Sequence, residues 1–99
     1  MAETYHALIA PHLYCGPIEG AANAQLATCT PNFLILESIE RWDGFHAQVL
    51  RKPMQWEDGY VIPSTEPGIG AELNIDVAIA NPYKGTRLHL NMAEDPIPV

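Results

Sequence analysis

Two stretches decide the fold: Ala7-Leu8-Ile9-Ala10-Pro11-His12 and Asn32-Phe33-Leu34-Ile35-Leu36-Glu37. Each is a short apolar run without polar alternation, the pattern of a strand buried on both faces. Between them, Gly16-Pro17 opens an alanine-rich segment that reaches Cys29. Proline suits the first helical position, and Glu19 suits the positively polarised first turn. Ile18, Ala21, Ala22, Leu26 and Cys29 recur near helical spacing, so they are expected to form one apolar face of mostly small side chains. Thr30-Pro31 ends the helix. Strand, helix and strand within about 30 residues predict a βαβ unit with parallel strands and a right-handed crossover.

Beyond residue 40 the pattern changes. Asp58-Gly59 lies between Met54-Gln55-Trp56 and Tyr60-Val61-Ile62. Such a pair between strand-like residues predicts a hairpin with Gly59 at positive φ. Pro67-Gly68-Ile69-Gly70 reads as a turn. Asn74 is placed to cap a short helix running through Ile79 and stopping at Asn81-Pro82. Residues 84–99 read as an extended tail. The expected class is therefore α/β, with a βαβ half followed by an antiparallel, loop-rich half.

The chain of 99 residues is one small domain's worth. Five Lys+Arg against twelve Asp+Glu give a formal charge of −7. The basic residues Arg41, Arg51, Lys52, Lys84 and Arg87 make no stripe, which argues against nucleic acid and against a membrane surface as partners. At 47% hydrophobic residues the chain is far from the disordered class. No apolar run is long enough to span a bilayer, and the first residues lack the pattern of a secretory signal. Cys15 and Cys29 have no CxxC spacing, so the expectation is reduced thiols and a cytoplasmic location.

In parallel α/β sheets ligands bind beyond the carboxyl ends of the strands. The first strand candidate ends at Pro11-His12 and the second at Glu37. Neighbouring strands lie ~4.8 Å apart, so these two side chains can converge on one small ligand. A histidine beside a carboxylate is a plausible acid–base pair, although a capped turn and a solvated strand end would look the same in sequence. Trp42, in the segment after Glu37, is a packing residue or a pocket-lining, substrate-binding one. His6, His46 and His89 lack metal-ligand spacing. Gly68-Ile69-Gly70 is an incomplete GxGxxG, with Leu73 where the third glycine belongs. Cys15 is a poor nucleophile candidate, and Glu57-Asp58 read as turn residues.

The series Ala10-Pro11-His12, Gly16-Pro17-Ile18, Pro31-Asn32-Phe33 and Leu36-Glu37 resembles the last barrel strands of the enolase superfamily. Within it, the mandelate racemase/muconate-lactonising branch and its galactonate dehydratase-like sugar-acid dehydratases are the nearest likeness. Glu57-Asp58-Gly59-Tyr60 and Pro67-Gly68-Ile69-Gly70 resemble the segment that returns to the capping domain, and the similarity covers roughly residues 2–83. It implies that residues 1–40 hold the last two strands and intervening helix of a TIM-type (β/α)7β barrel. Residues 41–99 would then give the hairpin, short helix and tail of the capping domain. It also implies His12 as a general base or acid at the end of the seventh strand and Glu37 as a hydrogen-bonding group at the end of the eighth. Mg2+ would stabilise the enediolate formed from an acid-sugar substrate. Family members run to several hundred residues, so the chain is expected to be a C-terminal piece. The metal ligands and the aspartate that orients the histidine would lie outside it. Such a piece is expected to be inactive alone, and to form a homo-oligomer or pair with the missing barrel segment. A racemase, a cycloisomerase or a non-catalytic assembly module are the alternatives.

Overall fold

In the computed structural model, which describes residues 1–39, 41–82 and 84, the helix forms where Pro17 predicts it. Helix α1 spans Pro17–Cys29, with Gly16 at its N-cap and Glu19 in its first turn. A single 3-10 turn, Glu3–Tyr5, precedes it.

The two apolar runs lie side by side and point the same way, joined at a parallel bridge between Ile9 and Phe33. Ile9 N–H donates to Asn32 C=O, and Leu34 N–H to Ile9 C=O, each at 2.9 Å. A regular parallel ladder would continue with Pro11 donating and Leu36 returning the bond. Pro11 has no N–H to give. Its carbonyl is met one residue late, by Glu37 N–H at 3.3 Å. The parallel pairing is therefore present, while full strands over 7–11 and 33–37 are not. Because neighbouring strand residues face opposite ways, this slip decides which side chain stands beside His12.

The buried face of α1 differs from the expected one. Pro17, Gly20, Ala21 and Ala24 are buried, while Ile18 and Leu26 are 39% and 49% exposed. An alanine-rich helix carries little contrast between its sides, so closeness of approach selects the smallest residues rather than the largest.

In the second half, α2 spans Phe45–Gln48. Strands β1 (Gln55–Glu57) and β2 (Tyr60–Ile62) pair antiparallel, with Trp56 opposite Val61. Their two-residue loop has Asp58 at φ 50° and Gly59 at φ 82°, the conformation of a type I′ turn. The Pro67–Gly70 turn is present. Helix α3 spans Ile75–Ala80; Asn74 holds the N-cap position but makes no side-chain cap bond. An antiparallel bridge between Leu50 and Leu73 ties this helix back to the chain after α2.

Among the described residues the core is small: Leu13, Ala21, Ala24, Trp42 and Leu50. Gln25 on α1 donates to Ser64 C=O at 2.7 Å, linking the two halves. The expected tail lies, apart from Lys84, outside the described residues. No helix among the described residues is long and apolar enough to cross a membrane.

Candidate active site

Pro11 ends the first apolar run and delivers His12 to its carboxyl end. The Glu37 N–H bond to Pro11 C=O brings the second run alongside at that level. His12 Nδ1 and Glu37 Oε2 are in direct hydrogen-bond contact. The same Oε2 accepts the backbone N–H of Leu13 at 3.1 Å. Leu13 is only 1% exposed, so this anchor is fixed from inside. From α1, Asn23 Nδ2 donates to His12 C=O at 3.0 Å.

The Leu13 N–H is the main reason the Glu37 carboxyl is held below its ordinary value; contact with His12 acts in the same direction and desolvation opposes both. Glu37 is thereby kept as a carboxylate. Facing a carboxylate oxygen, which only accepts, Nδ1 is the donor of this bond; when the ring is neutral, Nε2 keeps its lone pair. Both side chains remain open, His12 76% and Glu37 50% exposed. A histidine oriented through one nitrogen by a carboxylate, with the other nitrogen accessible, is equipped to take or give a proton.

Trp42 lies apart from this pair. It is 4% exposed, and its indole N–H donates to Ser38 Oγ at 3.1 Å. It lines a largely apolar cavity of about 830 Å³ together with Ala24, Leu36, Trp56 and Val61, a cavity that neither His12 nor Glu37 borders. His46 packs edge-on against it, ring centres 6.0 Å apart. Cys15 is exposed. A hydrogen bond to Glu19 pushes its thiol up, away from the thiolate a nucleophile needs. His89 lies outside the described residues.

Asn23 and the Leu13 amide were not legible as site residues. A faint signal exists for Asn23: an asparagine inside an alanine-rich helix is disfavoured by propensity and usually has a bond to make. No group of three His, Cys, Asp or Glu side chains that could hold a metal occurs among the described residues. Mg2+ requires several oxygen ligands in near-octahedral geometry, so this chain's described side chains do not by themselves fit a magnesium site.

Residues 1–77 match the family described as enolase C-terminal domain-like. A D-galactonate dehydratase family member from Pseudarthrobacter chlorophenolicus is 34% identical over 79 residues, covering 80% of this chain and 19% of that protein. The solved structure of a provisionally named mandelate racemase/muconate lactonizing enzyme from Burkholderia SAR-1 is 61% identical, with TM-score 0.86 over 98% of this chain and 24% of that one. A mandelate racemase/muconate lactonizing enzyme from Sulfitobacter is 46% identical, with TM-score 0.82 over 99% of this chain and 24% of its own. The chain thus spans about a fifth to a quarter of the length of these relatives. The matched residues contain the His12–Glu37 pair, and the chain belongs to the enolase C-terminal domain-like family.

Proposed function

We propose that this chain supplies the acid–base histidine of a sugar-acid dehydratase. The contact between His12 Nδ1 and Glu37 Oε2 carries the reading. With Nδ1 engaged, Nε2 takes the proton from the carbon beside a substrate carboxylate, and Glu37 stabilises the imidazolium that results. Glu37 Oε1, which no other described group engages, is the oxygen available for a substrate hydroxyl or a protonated enediolate oxygen. The neighbouring C–OH bond then breaks, the His12 imidazolium gives its proton to the departing hydroxyl to make water, and the resulting enol tautomerises to the 2-keto acid. The resemblance implies Mg2+ as a cofactor, and its ligands would come from outside the described residues.

The dehydratase reading is supported by the name of the Pseudarthrobacter relative. A racemase or cycloisomerase of the same superfamily is the second reading, favoured by the names of the solved neighbours. In either case residues 1–40 are proposed as the last strands and helix of a barrel and residues 41–99 as part of its cap, in a cytoplasmic protein. The proposed partner is the remainder of such a barrel, or failing that another copy of this chain. Leu8, Leu34 and Ile35, flanking the parallel bridge, are 58%, 60% and 62% exposed. Covering each is worth about 1.5–3 kcal/mol at most.

A chimera tests the proposal: residues 1–99 replace the matching quarter of the Burkholderia SAR-1 protein, and a panel of acid sugars is assayed with Mg2+ present. Formation of a 3-deoxy-2-keto acid supports the dehydratase reading. Epimerisation alone selects the racemase reading, and a folded chimera active on no carboxylate substrate overturns both.

A further inference from the structure

Trp42 is 4% exposed, and both ends of its indole are engaged. Its indole N–H is bonded to Ser38 Oγ, and Ser38 directly follows Glu37. Ser38 Oγ in turn donates to Ile39 C=O at 3.1 Å, which fixes the hydroxyl's orientation. At the other end, the indole edge lies against Gly20 of α1. A Cβ on Gly20 would stand 2.6 Å from Trp42 Cη2, 3.1 Å from Cζ2 and 3.0 Å from Met54 Sδ. Only glycine admits the ring this close. Helix α1 is the element that leaves the His12 thread, and Asn23 on that helix holds the His12 carbonyl. One rigid side chain therefore joins the chain that follows His12 to the chain that follows Glu37.

Such a brace matters because the two threads are held together sparsely. Pro11 interrupts their ladder, and the bond nearest the site is the long one at 3.3 Å. We propose that Trp42 is a positioning residue for the His12–Glu37 pair, seated in the Gly20 slot and acting through Ser38. This rests on the proposed acid–base role of the pair.

The test reads Glu37 itself, without substrate. In the chimera, the Glu37 carboxyl is titrated by carbon NMR in Ser38→Ala, which removes the acceptor, and in Trp42→Phe, which keeps an aromatic ring but removes the donor. In both, the Glu37 midpoint is expected to rise toward the ordinary value of about 4.3 while helix content stays unchanged. Ser38→Thr, which keeps the hydroxyl, is expected to restore the low midpoint. Ser38 is exposed, so its variants remain informative if Trp42→Phe fails to fold. A Glu37 midpoint unmoved in Ser38→Ala overturns the proposal, because a tryptophan that merely packs would leave it in place. In the chimera, Ser38→Ala is expected to lower kcat by up to about 10²-fold at unchanged KM. If the acid–base reading fails, activity is insensitive to His12 while the titration result stands.

Discussion

Gly20→Ala is a perturbation whose sign discriminates. Gly20 lies inside α1, and alanine at an open helical position is favoured over glycine by about 1 kcal/mol. Here the added methyl would meet Trp42 Cη2 at 2.6 Å and Met54 Sδ at 3.0 Å, well inside the ~3.5–4.0 Å optimum for carbon pairs. The indole cannot swing away cheaply. It is 4% exposed, bonded to Ser38 and flanked by His46. Overpacking of this kind costs about 1–3 kcal/mol. The propensity gain offsets part of that, leaving a net loss of roughly 1 kcal/mol. Urea unfolding followed by circular dichroism measures it. A double variant with Trp42→Leu should regain part of the loss, a coupling that independent sites would not show. A Gly20→Ala chain as stable as the original, or more stable, would refute the close approach of Trp42 to α1.

Gly59→Val places a β-branched residue at φ 82°, where side chains other than glycine pay roughly 1–2 kcal/mol, so the melting temperature should fall. Because the Glu37 carboxyl is held low in the folded chain, its stabilising contribution is complete above its unfolded value of about 4.3. That contribution is lost as pH falls through the lower folded value; acid titration of Glu37→Gln should lack this component. Light scattering should show the 99-residue chain associated rather than monomeric, since Leu8, Leu34 and Ile35 stand exposed beside unextended strands. The same chain alone should dehydrate no acid sugar even in excess Mg2+.

The sequence carried α1 and the hairpin to within a residue or so, because both are set by local chemistry. Pro17 at a first helical turn and Asp58-Gly59 between strand-like residues need no distant partner to specify them. The parallel neighbours were legible from two apolar runs, whereas the slip at Pro11 was not. A run of hydrophobic residues reports burial, but it does not report which backbone groups fail to find each other. The His12–Glu37 pair was legible as two strand ends expected at one edge. Its internal anchor, the Leu13 amide, was not, because every residue but proline carries an N–H and only the fold aims one. The face of α1 was misplaced for a related reason: Gly20 shows no hydrophobic signal, yet the indole of Trp42 can sit against the helix only there.

Exchange of the hydrogen beside the carboxylate, followed as loss of deuterium to water from an acid sugar labelled at that carbon and with the chimera carrying residues 1–99, measures proton abstraction whether the outcome is dehydration or epimerisation. His12→Asn is expected to lower this exchange by about 10²–10⁴-fold with the chimera still folded, and Glu37→Gln to lower it less. Exchange in His12→Asn at the rate of the unsubstituted chimera would contradict the central claim that His12, held by Glu37, moves the proton.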